Sequence, residues 1–212
     1  MPRFSSILSI AATFLFTAAA AQGGMIVFAN PATALAGDLG DYFDVMLTNT
    51  GSDLVVGGFS FALSVGDTNV TFTQVTMNTA VPYIFAGDSF VYLSLGGTNI
   101  NILPAGQTVN ASDADNSFLG VTIAGGATVG LGRVYFDVGA ASASTIAVEF
   151  VASGTSLSDA FGKSTIPIET LNDGLITLTS VPEPSALPLV GLAFLVIVFA
   201  HAMAGRRRKR DF

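Results

Sequence analysis

Short runs in which apolar and polar residues alternate fill the middle of the chain, between residues 23 and 180. In residues 54–65 the bulky side chains Phe59, Phe61 and Leu63 recur at every second position, with Ser or Ala between them. A period of two places such side chains on one face of a strand, so the pattern predicts strands that are buried on one side. The predicted strands are residues 25–29, 42–48, 54–65, 70–75, 90–95, 118–123, 131–138, 146–151 and 174–179.

The same region shows no helical periodicity, and Gly, Asn, Asp and Ser separate its predicted strands. About nine short strands with such turns favour an all-β domain built as a sandwich of two sheets. A parallel β-helix is disfavoured because the chain has no regular repeat. The chain contains no Cys, so apolar burial must stabilise the domain without disulfides. Phe, of which the chain has 17 in all, can supply that burial, at roughly 1.5–3 kcal/mol for each fully buried side chain.

The start of the chain has the three-part layout of a secretory signal peptide. Arg3 precedes a short apolar stretch, and a run of Ala follows it. Cleavage after Ala21 would place Ala19 and Ala21 at the two positions where signal peptidase requires small side chains, and cleavage after Ala20 is nearly as suitable. The alternative is an uncleaved anchor. We therefore predict export, with residues 1–21 as the signal peptide.

An uncharged apolar run near the end of the chain predicts a transmembrane helix over residues 186–204. At about 1.5 Å per residue the run spans roughly 27 Å, close to the thickness of a hydrocarbon core. The basic residues that follow should stop translocation, because Lys and Arg stay on the cytoplasmic side. These stop-transfer residues are Arg206, Arg207, Arg208, Lys209 and Arg210. The domain that precedes the helix is then outside the cytoplasm.

Val181, Pro182, Glu183 and Pro184 stand immediately before the predicted helix. Two prolines two positions apart continue neither a strand nor a helix, so they hold an extended, exposed segment just outside the membrane. That geometry suits an enzyme that threads the chain through a narrow groove. A plain linker would have the same extended geometry.

The motif at residues 181–185, the apolar helix and the basic cluster together resemble a PEP-CTERM sorting domain over residues 181–212. The resemblance implies that an exosortase, a membrane-embedded enzyme similar to cysteine proteases, recognises Pro182, Glu183 and Pro184. It also implies a link to exopolysaccharide, biofilm or floc production. The expected location is the cell envelope, anchored in the membrane, with release to the extracellular matrix after processing as an alternative.

Charge is distributed unevenly along the chain. Residues 22–180 carry two basic side chains, Arg133 and Lys163, against 13 acidic ones, which leaves a net charge of −11. Such a surface repels phosphate backbones, so we expect no nucleic acid partner.

Two acidic clusters could provide oxygen ligands for calcium. Asp113, Asp115 and Asn116 form one, and Asp38 and Asp41 form the other, both in predicted turns. Neither has the full loop of an EF-hand, and side chains that cap the turn backbone are the simpler interpretation. We therefore predict no cofactor, with calcium as the open alternative.

Several segments resemble the strands of cohesin-like domains. Residues 37–38, 47–50 and 56–63 resemble the opening strands, and residues 131–138, 146–150, 157–162 and 173–178 resemble the closing strands. The resemblance implies a jelly-roll sandwich, a fold that carbohydrate-binding modules also have. True cohesins bind dockerins, but cohesin-like domains also occur as plain surface modules. The resemblance therefore does not imply that this chain binds a dockerin.

Catalytic chemistry has few candidate residues in residues 22–180. The single His of the chain, His201, lies in the predicted membrane helix, and there is no Cys, so nucleophiles activated by His are excluded. Two-carboxylate glycoside hydrolysis remains formally possible. However, Glu149 and Glu169 are the only Glu in this region, and no Trp is present to hold a sugar. We expect a protein that is not an enzyme.

The sequence thus divides into a signal peptide (1–21), an all-β ectodomain (22–180) and a sorting tail (181–212). The main hypothesis for the ectodomain is a structural or adhesive module of the cell surface or extracellular matrix. The alternative is a carbohydrate-binding module, or a cohesin-type module that binds another surface protein. Candidate platforms for a sugar are Tyr42, Tyr83, Tyr92 and Tyr135.

Overall fold

The structure is a computed structural model that describes residues 24–77, 82–96, 100–140 and 144–179. The predicted signal peptide, sorting motif, membrane helix and basic cluster lie outside these residues. Within them, no helix is long and apolar enough to cross a membrane.

The described ranges consist mainly of strands. The strands are β1 (Met25–Ala29), β2 (Ala32–Leu35), β3 (Asp41–Asn49), β4 (Leu54–Val56), β5 (Gly58–Val65), β6 (Val70–Thr76), β7 (Ile100–Ile102), β8 (Thr108–Ala114), β9 (Val121–Ile123), β10 (Thr128–Val138), β11 (Ser144–Phe150), β12 (Ser156–Ser158), β13 (Thr165–Ile166), β14 (Ile168–Asn172) and β15 (Gly174–Thr179). The helices are α1 (Phe90–Ser94) and two 3₁₀ turns, Ala152–Gly154 and Ala160–Gly162.

The smaller layer of the sandwich is a sheet of five strands in the order β14-β1-β3-β10-β6. β1 and β14 run parallel, and the other pairs are antiparallel. Alternation in β3 produces this layer, because Phe43, Val45 and Leu47 are buried while Tyr42 and Asp44 face outward.

The larger layer is centred on β5. On one side β5 pairs with β12 at Gly58–Ser60 and with β11 at Leu63–Val65, and on the other side it pairs with β8, which pairs in turn with β7. Beyond β11 the order continues through β15 to β2. β4 and β9 form a separate pair of strands.

The core lies between the two layers. Phe61, Phe72, Phe85 and Phe136 are among its largest fully buried side chains, so aromatic burial stabilises this cysteine-free domain as predicted. The layers approach so closely that a Cβ atom at Gly132 would lie 3.3 Å from the Phe61 ring. All members of the buried cluster lie between residues 25 and 178, and every strand pair lies between residues 25 and 179. Within the described residues, the two layers therefore enclose one continuous core.

One predicted strand is wrong, and a second is only partly right. Residues 90–95 are β-prone by composition, but Phe90–Ser94 form helix α1, because Ser89 accepts a hydrogen bond from the Tyr92 N–H at its start and the tertiary contacts favour the turn. Residues 118–123 begin in a turn, with Phe118 at a φ of 61°, and only Val121–Ile123 is a strand.

The predicted strands do not include six of the observed ones, which are β2, β7, β8, β12, β13 and β14, and one predicted strand is too long. Thr108–Ala114 forms β8, although its inward positions include Ala111 and Asp113 in place of bulky apolar side chains. Residues 54–65 are two strands, separated at Gly57. A Cβ atom at Gly57 would lie 2.2 Å from the carbonyl oxygen of Asp159, so close approach of the backbone requires glycine there.

Candidate functional site

The outer face of the larger sheet carries an open groove over strands β12, β5 and β8. It consists of two adjoining depressions of about 370 and 230 Å³ that share Ser60. Ser60, Phe61, Ile100, Asn101, Asn110, Ala111, Ser112 and Gly154 line the larger depression. Gly58, Phe59, Ser60, Asp113, Ala114, Ser156 and Ser158 line the smaller one.

Short hydroxyl and amide side chains form the outward surface of this groove. The Ser60 hydroxyl lies 2.9 Å from the Ser156 hydroxyl and donates to the carbonyl oxygen of Gly154 at 3.1 Å. Because Ser, Asn and Gly project little, the backbone of β5 and its neighbours can be approached closely. The groove therefore offers hydrogen-bond donors and acceptors across a broad, uncharged floor.

Asp113 lies beneath this floor and points inward. Its buried carboxyl accepts hydrogen bonds from the hydroxyl groups of Tyr83 and Ser89, and from the N–H groups of Val91 at 2.9 Å and Ala114 at 2.8 Å. Burial, together with the hydrogen bond to Asp113, raises the pKa of Tyr83 well above its ordinary value. The carboxyl thus attaches the segment that contains α1 to β8.

Asp115, two residues further along, organises the turn after β8. Its buried carboxylate accepts hydrogen bonds from the Ser117 hydroxyl at 2.6 Å and from the Gly120 N–H at 2.7 Å. Burial by itself would raise the pKa of Asp115, but hydrogen bonds from the Ser117 hydroxyl and from the N–H groups of Gly120 and Ser117 lower it below its ordinary value.

The two acidic clusters that suggested calcium have different surroundings. Asp113 belongs to strand β8 and not to a turn, and its carboxyl is already occupied by protein donors. Asp38 accepts a hydrogen bond from the Leu35 N–H, while one oxygen of Asp41 is buried without a hydrogen-bond partner. Among the described residues, no three ionisable ligands are arranged to share a metal ion.

Replacing Asp41 with Asn should stabilise the protein at pH 7. Burial and the neighbouring Asp38 raise the pKa of Asp41, so its ionised form is disfavoured in the folded state. The penalty is present above the raised pKa and disappears as the pH falls through it. We expect a gain of about 0.5 kcal/mol at pH 7, kept small by solvent screening, and no gain at pH 3.

Urea unfolding at both pH values measures this difference. Asp137→Asn is the matched control: the Asp137 carboxylate accepts a hydrogen bond from the Gly40 N–H at 2.8 Å, and an Asn oxygen would accept it more weakly, so this variant should show no gain in stability. An equal gain from Asp41→Asn at both pH values would contradict the electrostatic explanation.

The four tyrosines proposed as sugar platforms do not share a surface. Tyr83 is buried, and Tyr92 lies on α1 with 45% of its surface exposed. Tyr42 and Tyr135 are cross-strand neighbours on the outer face of the smaller sheet, with ring centroids 5.8 Å apart. The guanidinium of Arg133 lies 3.8 Å from the centroid of the Tyr42 ring, so it already covers one face of that ring.

Arg133 is also held by Asp44 on the neighbouring strand. Its Nε and Nη2 atoms donate to the two carboxylate oxygens of Asp44 at 2.7 and 3.0 Å, and the ion pair raises the pKa of Arg133. The charges of Arg133 and Asp44 therefore neutralise each other.

Other sequence-predicted site residues lie outside the described residues. They are Ala19 and Ala21 of the signal cleavage site, Val181, Pro182, Glu183 and Pro184 of the sorting motif, and Arg206, Arg207, Arg208, Lys209 and Arg210 of the basic cluster.

Comparison with solved structures identifies the architecture. CaCohA2 from Clostridium acetobutylicum superposes with a TM-score of 0.55 at 16% identity, over 74% of this chain and 92% of that chain. A non-cellulosomal cohesin from the archaeon Archaeoglobus fulgidus superposes with a TM-score of 0.51 at 16% identity, over 77% of this chain and 95% of that chain. The sandwich has a cohesin-like fold.

A chain of the type I cohesin–dockerin complex from Clostridium thermocellum also superposes on this cohesin-like sandwich, with a TM-score of 0.53 at 12% identity, over 82% of this chain and all of that chain. No protein-family model matches the sequence, and no curated protein matches it. The cohesin-like resemblance seen in the strand segments is therefore confirmed at the level of the fold.

Sequence reasoning missed the groove of the cohesin-like sandwich. Asn110 and Ser112 were not assigned to a strand, and Ser60 was assigned only as an outward residue of one. The signal that could have found β8 is the alternation of Val109, Ala111 and Asp113, which are buried, with their polar neighbours.

Proposed function

We propose that this chain is an exported, surface-anchored protein whose cohesin-like domain binds another protein through the groove on its larger sheet. The observation that carries the proposal is the open groove over β12, β5 and β8 on a fold shared with a chain of a cohesin–dockerin complex. The proposal concerns binding and involves no reaction.

The chemistry of the groove suits a protein partner. Ser60, Ser112 and Asn110 line it with hydroxyl and amide groups, which are chemically similar to the peptide groups and polar side chains at protein interfaces. The groove is too open for a small ligand, which needs an enclosing cavity. Its floor presents no stacking aromatic platform of the kind that a sugar requires.

The charge of the domain indicates which sign of charge such a partner should have. The described residues include all 13 acidic side chains of residues 22–180, and the ectodomain has a net charge of −11. A basic partner would be attracted over a distance of about 10 Å at moderate salt, and an acidic one would be repelled.

The tail supplies the location in this proposal. The PEP-CTERM-like segment would be recognised by an exosortase at Pro182, Glu183 and Pro184, and would place the domain outside the cytoplasm in an envelope that contains exopolysaccharide. The adhesive role expected from the sequence then follows from binding a second surface or matrix protein.

Arginine substitutions in the groove test this function. Ser60→Arg and Ser112→Arg place long, charged side chains on the floor and should reduce retention of the protein partner at least about tenfold, because they block close approach. Residues 22–180, which contain the core that the described residues form, would be immobilised and exposed to the secreted and envelope proteins of the source cells.

Thr48→Arg on the smaller sheet is the matched control, since Thr48 also faces outward, but on the opposite layer. A partner that the wild type and Thr48→Arg retain and both groove variants lose would then be purified and its Kd measured. The proposal is wrong if no protein distinguishes the groove variants from the control, or if polysaccharide alone accounts for the retained material.

A further inference from the structure

We propose that Phe118 and Phe161 are paired anchors for a basic, amphipathic segment of the protein partner, at the end of the groove where β5 begins. This inference rests on the proposed function and specifies the chemistry of the partner. The two side chains are 51% and 59% exposed.

The topology brings these two residues to the same end of the sandwich. β8 and β12 flank β5 on opposite sides and both run antiparallel to it. Gly57, which precedes β5, donates to the Ser158 carbonyl at 2.8 Å and accepts from the Asp115 N–H at 2.9 Å. The turns that carry Phe118 and Phe161 begin directly after these contacts, so both lie at the end of the groove where β5 begins.

The two turns are built alike. Each begins with an aspartate whose carboxylate accepts the N–H five residues further on: Asp115 from Gly120 at 2.7 Å, and Asp159 from Ser164 at 2.8 Å. The backbone hydrogen bond to the Ser164 N–H is also the main reason why the pKa of Asp159 is lowered. Such closure fixes the turns before a partner arrives, and a rigid anchor loses less entropy on binding.

Both phenylalanines also have an unfavourable backbone conformation. Phe118 has a φ of 61° and Phe161 a φ of 66°, in the left-handed region that bulky residues rarely adopt. Glycine would fit this conformation without cost, so the backbone of these turns does not require a phenyl ring at either position. Strain that the fold does not need is typical of functional positions.

The neighbourhood of the anchors is apolar, with acidic groups close by. Phe90 of α1 packs against Phe118, and Leu119 is 68% exposed beside it. Lys163 lies 5.2 Å from the Phe161 ring, whereas Asp88 and Asp159 add negative charge at this end. Apolar anchors in a strongly acidic domain favour a partner segment with apolar residues on one face and Lys or Arg on the other.

The net charge of the domain also favours a protein over a lipid surface as the partner. A domain with a net charge of −11 is repelled by anionic headgroups, so insertion of the two rings into such a membrane is disfavoured. A second copy of the domain carries the same charge and is disfavoured in the same way.

Phe118→Gly and Phe161→Gly separate binding from folding. Each removes an anchor and relieves the backbone, so we expect the melting temperature to stay constant or rise by up to about 3 °C. The probe is a fluorescent helical peptide of about 18 residues in which Leu occupies one face and Lys the other. The wild type should bind it at least about tenfold more tightly than a scrambled peptide of the same composition, and the double variant should lose this preference.

Ala105→Gly is the matched control, because Ala105 has a φ of 76° in an exposed turn before β8, at the other end of the sandwich. It relieves the same type of strain and should leave peptide binding unchanged. A peptide in which Glu replaces Lys, and anionic vesicles, should not bind.

Three results would overturn the inference: equal binding of the scrambled peptide, binding that the double variant retains, or a fall of more than about 3 °C in melting temperature, which would show that the rings are needed for folding. If the groove variants lose the protein partner while the two Phe variants retain it, the inference is wrong and the proposed function stands. If the Phe variants lose the partner and the groove variants retain it, the groove is wrong as the site.

Discussion

Asp113→Ala should lower the free energy of unfolding by about 3 kcal/mol or more. The substitution leaves the hydroxyl groups of Tyr83 and Ser89 and the N–H of Val91 inside the protein without their acceptor. Each unsatisfied buried donor costs about 1–3 kcal/mol, although water that enters the cavity recovers part of that. Urea unfolding monitored by circular dichroism measures the change.

Asp173→Ala is the control for this prediction. The Asp173 carboxylate accepts one backbone N–H, from Phe150 at 2.8 Å, in an exposed position, so its loss should cost about 1 kcal/mol or less. Equal losses for Asp113→Ala and Asp173→Ala would contradict the role given to the buried carboxyl. Because Asp113 holds the segment around α1, its removal should also increase proteolysis between Tyr83 and Leu95.

Deletion of residues 181–212 should transfer the protein from the envelope to the medium. Under the sorting proposal this tail carries the membrane helix, so a chain without it is exported and has no anchor after signal cleavage. Cell fractionation with immunoblotting measures the distribution, and intact mass spectrometry shows whether the tail is processed in the full chain.

Glu183→Ala tests recognition separately from anchoring. The variant keeps the apolar run and the basic cluster, so it should stay in the membrane at the mass of the unprocessed chain. An unchanged distribution after the deletion, together with an unchanged mass for Glu183→Ala, would refute the sorting proposal.

Regular alternation made part of the fold predictable. Met25–Ala29 and Gly174–Thr179 form strands with the predicted bounds, and Asp41–Asn49 extends the predicted strand by one residue at each end. In these segments large apolar residues face a single core, so the local pattern and the tertiary structure agree.

Long-range contacts made the rest unpredictable. Phe90–Ser94 is helical because Ser89 and Asp113, the latter 22 residues away from Val91, bind its first N–H groups. β8 escaped detection because a buried carboxyl occupies one of its core positions, which its sequence neighbours do not indicate.

The position of the groove was also unpredictable, because it depends on contacts between residues that are distant in sequence. Ser60 and Ser156 are 96 residues apart in sequence and are joined only by the pairing of β5 with β12. Alternation placed Ser60 on an outer face, but no local signal indicates which strands lie beside it. The hydrophobic pattern predicts that Phe118 and Phe161 are buried. They are exposed because they lie in turns.

The direction of β15 places the groove and the residue that precedes the sorting tail at different heights of the sheet. β15 runs parallel to β5 in the same sheet: Gly174 pairs with Val148, which pairs with Val65. Gly174, Val148 and Val65 thus lie side by side across the sheet. Thr179 is five residues from Gly174 towards one end of the sheet, and Ser60 is five residues from Val65 towards the other end. At about 3.3 Å per residue, Thr179 and Ser60 are roughly 30 Å apart along the strands. Because the tail would leave from the Thr179 end, a tethered domain would hold its groove away from its own membrane. Contacts in trans, with a neighbouring cell or with material shed around it, would then be geometrically easier than contacts in cis.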